Sequence, residues 1–404
     1  MGSHPGLVGG PVYLDYNATT PTDPRVVEAM LPYLGPHFGN PSSSHRYGMT
    51  PAEALATARS QVARLIGAQP QDIVFTGSGS EADNLAIRGA ALANPGGHGT
   101  PAAVHVVTQR TEHPAVLAVC DALHRLHGVH VTYLPVDTYG QVDPTTLSAA
   151  LADRSADGTT LVSIMLANNE TGTLQPLREL AAVAHQHGAL VHTDAAQAVG
   201  KIPVDVDDLG VDLLTLVGHK MHAPKGIAAL YVRAGTRLEP VIYGGGQEHG
   251  LRAGTENVAL AVGLGTAANL AAADLATGEP DRLRGLRDEL GRRLAEQVSG
   301  RAVLNGHPTH RLPNTLNLSL TPHDSNGLLA AAPGVAASTG SACHTGTTQP
   351  SPVLAAMALP DARTRCAVRL SLGRWSTMDD VAHAVDLLAA ATTALGEGHM
   401  PAPG

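Results

Sequence analysis

Lysine is scarce in this chain. Of 26 Lys and Arg residues only three are lysines, Lys201, Lys220 and Lys225, and two of them lie five residues apart in LTLVGHKMHAPKG, residues 214–226. A chain that uses arginine for fixed positive charge keeps an amine that can lose its proton at very few places. Cysteine is as scarce. Cys120, Cys343 and Cys366 supply neither a disulfide framework nor a zinc-binding spacing, and a reducing cytoplasm is the expected compartment. Aromatic residues make up only 3%, so the core must be built mostly from Ala, Leu and Val. No uninterrupted run of about 18 apolar residues occurs, which argues against a membrane-spanning helix. The opening MGSHPGLVGG has neither the charged nor the apolar region of a secretory signal. A net charge of −9 argues against broad binding to nucleic acid or an anionic membrane, and direct contact with either is not expected.

At 404 residues the chain is long enough for two domains. No internal repeat is evident; instead short β-branched runs alternate with Ala/Leu-rich segments of helical period. QDIVFTGSG leads into SEADNLAIRGAAL, AAVHVVTQRTEH into PAVLAVCDALHRLHG, and HVTYLPVD, TTLVSIMLANNETG, ALVHTDAAQAVG and VDLLTLVGHK follow. This alternation predicts an α/β fold with a mainly parallel central sheet and helices on both faces. Ligands in such sheets bind beyond the carboxyl ends of the strands. The polar clusters TGSGSE, TEH, NNETG, TDAAQ and GHK fall at those ends. Beyond residue 256, two helical stretches, the short strands NTLNLSL and CAVRLSLGRW, and a closing helix predict a smaller α+β domain. The expected division is a large domain over 24–262, a small domain formed by 1–23 and 263–396, and a disordered tail at 397–404.

The strand ending at Phe75 is followed by small residues opening a helix, whose first N–H groups with Ser78 and Ser80 could cradle a phosphate or form a plain capped glycine turn. Asp194 stands at the end of an apolar strand, where an acid is a turn or cap residue unless it has a partner. Twenty-six residues later the next strand ends at Gly218-His219-Lys220. If the two strands are adjacent and parallel, both ends share one rim. A phosphate cradle, a carboxylate and a lysine able to deprotonate are the parts pyridoxal 5'-phosphate requires, with Lys220 as its Schiff-base partner. Lys225, beyond Pro224, falls in a turn. Cys120 and Cys366 fit a buried core. Cys343 differs, because AASTGSACHTGTTQPS surrounds it with small and polar residues and reads as an exposed loop in which a free thiol is an oxidation hazard unless it is used.

Taken together, YLDYNATTPTDPRV, GNPSSSH, FTGSGSEADNLAIRG, TEHPAV, NNETGTLQP, HTDAAQAVGK, GHKMHAPKG, YGGGQEHGLRAGTENV, NTLNLS, STGSACHTG and VRLSLGR resemble the group I cysteine desulfurases. These are fold-type I, class V aminotransferase-like pyridoxal-phosphate enzymes, and the likeness runs from about residue 12 to 385 in the same order. The resemblance implies that Lys220 carries the cofactor and that Asp194 pairs with its pyridine nitrogen. Gln197 would bond the phenolic oxygen, and His113 would stack on the ring and help move protons. Gly79, Ser80 and His219 would hold the phosphate, joined by Thr255 from a second subunit, so a homodimer with shared active sites is implied. Asn169 and Arg369 would grip the carboxylate of L-cysteine, with Asn17 near it. Cys343 would be the nucleophile, taking the substrate sulfur as a persulfide, releasing L-alanine and passing sulfur to an acceptor protein. Neighbouring His344 could lower its pKa but is not counted as catalytic.

Two departures from the family pattern stand out. The position before GHK is commonly Ser or Thr in relatives and is Val217 here, which removes a phosphate hydroxyl unless Ser78 compensates. SACHTGTTQPS differs from the commoner SACTSGSLEPS, and that bears on the acceptor. Competing readings are a selenocysteine lyase or other C–S lyase, a small aminotransferase on the same fold, or a non-catalytic subunit of a sulfur-transfer complex. Iron–sulfur assembly, tRNA thiolation and DNA phosphorothioation are all open as the destination of the sulfur.

Overall fold

The computed structural model describes residues 4–93, 104–152, 160–298, 302–322, 324–339 and 351–397, with residues 396 and 397 described by backbone alone. Strand β1 (Val12–Tyr13) precedes a seven-stranded sheet made of β2 (Ile73–Thr76), β3 (His105–Gln109), β4 (His130–Leu134), β5 (Thr160–Ser163), β6 (Leu190–Asp194), β7 (Leu213–Val217) and β8 (Ala228–Val232). Its order is β2-β8-β7-β6-β5-β3-β4. All pairings are parallel except those of β8, which runs antiparallel to both β2 and β7. The expected mainly parallel sheet is therefore present. Strand β8, AALYV, was not among the elements expected, because a run buried at every residue shows no alternation to mark it as a strand.

Strand residues alternate between two apolar layers, as a period of two requires. Ile73, Phe75, Val107, Val162, Leu214, Leu216, Ala229 and Tyr231 face one core. Val74, Val106, Leu161, Leu213, Leu230 and Val232 face the other. Helices Arg46–Leu65, Leu177–Gln186 and Val258–Ala276 cover the first layer, and Gly79–Ala93 and Pro114–His127 the second. Burial on both faces explains why the inner strands read as continuous hydrophobic runs.

Helix Val258–Ala276 is long and apolar enough by composition to cross a membrane, although Thr266, Asn269 and Asp274 interrupt its apolar run, in keeping with the lack of an uninterrupted one in the sequence. Its apolarity has a local cause. Ala261, Leu264, Ala267, Ala268 and Ala271 are buried in the first layer, and a Cβ at Gly265 would lie 2.6 Å from the Ala58 Cα. Small residues let two helices approach closely.

A second, separate core gathers Val12 and Leu14 with residues of helices Glu279–Gln297, Ser325–Ala331 and Met378–Glu397. They pack on strands β9 (Ala302–Leu304), β10 (Thr315–Leu320), β11 (Val335–Ala336), β12 (Ser338–Thr339) and β13 (Ala367–Ser371). Sheet order here is β12-β13-β10-β9, with β1 pairing β11 apart. The closing helix runs to Glu397, and the rest of the expected tail lies outside the described residues. Cys120 and Cys366 are buried free thiols, as their surroundings in the sequence suggest.

Candidate active site

Strands β6 and β7 are neighbours and parallel, with Asp194 opposite Thr215. Asp194 closes β6, and β7 ends at Val217, after which a single 3-10 turn carries Gly218 to Lys220. Both residues line one cavity of about 340 Å³, within the usual size of a small-molecule site. Asn17, Gly79, Ser80, His113, Asn169, Gln197, His219 and Arg369 line it too, so ten of the twelve site residues expected from the sequence meet here. Thr255 does not line this chain's cavity and is exposed. Cys343, with His344, lies outside the described residues. Lys225 is exposed in the turn between β7 and β8, which leaves Lys220 as the site's amine at this strand end.

Each side chain is held by local structure. The Lys220 amine donates to the backbone oxygens of Asn17 and Ala18 at 2.6 and 2.7 Å. Asp194 Oδ1 accepts from the Ala196 N–H at 2.9 Å. Burial pushes the Asp194 carboxyl up from its usual range, opposed by that N–H and by His113 and Lys220. His113 caps helix Pro114–His127, its Nδ1 accepting from the Ala115 N–H at 3.1 Å. Burial lowers its pKa, Asp194 opposes the shift, and Lys220 adds to it. His219 is pushed down to about 4, first by burial and then by Lys220. Helix Gly79–Ala93 starts directly on the cavity, with Ser78 Oγ accepting from the Glu81 N–H at 3.1 Å. Ser78 is thus a helix cap, and its hydroxyl proton remains available to an anion. Val217 lines the cavity beside this helix start, and a Cβ at Gly79 would meet its Cγ2 at 2.6 Å.

On the opposite wall Arg369, from β13, donates through Nη2 to Asp15 at 2.8 Å and through Nη1 to the Asn169 oxygen at 3.2 Å. Its Nε is buried without a hydrogen-bond partner among the described residues. Asn168 shapes the loop that carries Asn169, its Oδ1 accepting from the Glu170 and Thr171 N–H groups at 2.9 Å each. Sequence reasoning missed Asp15, Asn168, Asp83 and Lys201. Asp83, buried and lining the cavity, has one carboxylate oxygen with no hydrogen bond among the described residues and with His192 Nε2 3.8 Å away, and burial followed by Asp194 raises its pKa. All four stand inside the quoted motifs, so their position was visible while their partners were not.

The donor set suits pyridoxal phosphate. An amine, a buried carboxylate whose raised pKa a cationic ring nitrogen would reverse, and a helix start held open by glycine against Val217 match its three polar ends.

The segment between the described residues 339 and 351 has both ends near this cavity. Ser338 pairs with Arg369 in the β12–β13 ladder. The Ser351 hydroxyl donates to the carboxylate of Glu170, next to Asn169.

Comparison with known proteins agrees with this geometry. The model of the family Aminotransferase class-V matches residues 12–383. A cysteine desulfurase of Nostoc sp. is 46% identical over 379 residues, covering 93% of this chain and 92% of the relative. A solved NifS-like protein superposes with a TM-score of 0.86 at 33% identity, over 95% of this chain and 99% of its own. DndA from Streptomyces lividans superposes with a TM-score of 0.70 at 34% identity, over 88% and 97%. A family match across nearly the whole chain, joined to desulfurase relatives of the same length, places this protein in the class-V aminotransferase family, among its cysteine desulfurases.

Proposed function

We propose that this chain removes sulfur from L-cysteine, releasing L-alanine and leaving a persulfide on Cys343. In atoms, cysteine and one enzyme thiol give alanine and one enzyme persulfide, with no outside oxidant or reductant. The observation that carries the reading is the anchoring of both ends of the Cys343 segment, Ser338 on Arg369 and Ser351 on Glu170, against a cavity fitted for an amino acid and its cofactor.

Lys220 would hold pyridoxal phosphate through its amine, Asp194 through the ring nitrogen, Gln197 through the phenolic oxygen, and Gly79, Ser80 and His219 through the phosphate. When bound, the group supplies an electron sink for charge developing at the substrate's α-carbon. Arg369 binds the substrate carboxylate with Asn169 and Asn17 beside it, its buried Nε being a ready donor. His113, neutral through burial, presents its Nε2–H on the cavity side and donates there, because its Nδ1 accepts from the Ala115 N–H. The Lys220 amine, once released, moves a proton at the same carbon. Cys343 must reach the substrate sulfur as a thiolate and then present it to an acceptor, which suits a segment of small residues.

Thr255, exposed on this chain, would complete the phosphate site of a second copy. Exposed Leu31, Leu34, Phe38, Tyr47 and Met49 supply an apolar face of the kind a homodimer buries. The smaller core, fed by the N-terminal segment and the chain beyond helix Val258–Ala276, would carry the thiol. The acceptor is a protein in a reducing compartment, reached without direct contact to DNA. Likeness to DndA raises phosphorothioation as a destination, against the higher identity to the Nostoc desulfurase.

Incubation with L-cysteine tests the reading. Stoichiometric alanine and protein-bound sulfur are expected, both lost in Lys220→Ala; alanine formation that survives Lys220→Ala would overturn it.

A further inference from the structure

Lys201 has no part in the chemistry above, yet it is one of three lysines in the chain and its amine ends among the site residues. Nζ donates to Gln197 Oε1 at 2.6 Å and to Asn17 Oδ1 at 3.1 Å. The residue is partly accessible, but protein closely surrounds its amine. Burial, then the charges of Lys220 and Arg369, lower its pKa well below that of an ordinary lysine. Two acceptors, Gln197 Oε1 and Asn17 Oδ1, meet the N–H bonds of this amine.

An amine that donates can face only the oxygen of an amide. Lys201 therefore fixes which end of Gln197 points where, and Gln197 Nε2 turns away from it, donating to the Asn17 backbone oxygen at 3.0 Å. That same oxygen accepts from Lys220 at 2.6 Å. The Asn17 amide is fixed in the same way. Its Oδ1 accepts from Lys201 and from Asn314 Nδ2, at 3.1 Å each, while its Nδ2 donates to Thr315 Oγ1 at 2.8 Å and the Asn169 oxygen at 3.2 Å. One amine thus sets the orientation of two amides that line the cavity. Arginine at this position would place a permanent charge beside Lys220, which must be free to lose its proton.

We propose that Lys201 is a positioning residue of the active site, holding the Gln197 amide so that its NH₂ group, not its oxygen, is offered to the cofactor's phenolic oxygen. This rests on the pyridoxal-phosphate reading above. The titratable groups around it are Lys220 and Arg369, with Asp194 and His113 in the same cavity and His219 and His222 within reach of its charge.

The test is the pH titration of the bound cofactor's visible absorption band. A donor at the phenolic oxygen favours the deprotonated form of the lysine-linked chromophore. Its loss in Lys201→Met should move the midpoint upward by roughly one unit, in line with one hydrogen bond to a charged group. Gln197→Ala should give a similar upward shift, and adding Lys201→Met to it should give no more. Gln197→Glu keeps an acceptor for Lys201 but puts a carboxylate oxygen where the donor stood, its charge adding to the same upward shift, so it reads the donor side of the contact if Lys201→Met does not fold. It too should raise the midpoint. A Lys201→Met midpoint equal to wild type, an equal further shift in the Gln197→Ala background, or an unmoved midpoint in Gln197→Glu overturns the proposal. A wild-type protein with no such band would instead count against the cofactor reading on which it stands.

Discussion

His113 accepts an N–H bond at Nδ1, so the neutral ring carries its proton on Nε2, toward the cavity. Burial holds its pKa below the ordinary histidine value of 6.5, with Lys220 adding and Asp194 opposing. The neutral form therefore dominates at pH values above that lowered pKa, and a second proton, which can add only at Nδ1, breaks the Ala115 bond that holds the ring as pH falls. The acid limb of kcat/KM for cysteine should lie below pH 6.5, and His113→Gln should remove that limb and slow turnover roughly 100-fold or more. Arg369 is held by Asp15 and the Asn169 carbonyl, with Nε lacking a hydrogen-bond partner among the described residues. Lysine cannot reproduce that fork, so Arg369→Lys should raise KM for cysteine by roughly 10- to 100-fold, the value of a charged hydrogen bond or two. At this scale the sequence was most informative where chemistry restricts residue choice. Only a lysine can both bind an aldehyde and release a proton, so Lys220 and Asp194 at successive strand ends were readable. Lys201 and Asp15 were not, because their meaning lies in the partners that tertiary packing brings, one of them 184 residues away in sequence from Asn17.

The start of helix Gly79–Ala93 and the end of β7 form one unit, pressed together where Val217 meets Gly79. A methyl at 79 has no room, so Gly79→Ala should cost about 1–3 kcal/mol and weaken cofactor binding. Val217→Ala in the same chain should recover most of that loss, measured by thermal unfolding. Val217 also stands where the family resemblance implies a hydroxyl. Val217→Ser should lower the cofactor's dissociation constant by roughly three- to tenfold, the worth of one added hydrogen bond. An unchanged constant would mean that Ser78 and the helix N–H groups already saturate the phosphate. Buried strands and amphipathic helices were legible because their periods differ. The two-residue strands β11 and β12 were not, since so short a run carries no period to recognise, and β8, buried at every residue, is a continuous apolar run without alternation.

Across the whole molecule, the sheet interior holds acids that folding must keep neutral or paired. Glu112 accepts from the Met165 N–H at 2.6 Å and from Gln109 at 2.9 Å, while its other oxygen has no partner. Burial raises its pKa from 4.5 to about 8. A carboxyl with a raised folded pKa contributes stability that is complete below its unfolded pKa. That stability is lost as pH rises through about 8. Wild-type stability should therefore fall between pH 5 and 8 by roughly 1 kcal/mol per unit from this group. Glu112→Gln, which mimics the neutral form, should flatten that slope in denaturant titrations; an unchanged slope would assign it to other groups.

The account as a whole rests on where the sulfur goes. Peptide mass mapping after brief exposure of the purified enzyme to L-cysteine reads this directly. One additional sulfur atom is predicted on the peptide carrying Cys343, removable by reductant, with Cys120 and Cys366 unmodified and with both the added sulfur and alanine formation lost in Cys343→Ser. Full alanine production by Cys343→Ser, or sulfur carried on another residue of the wild type, would contradict it.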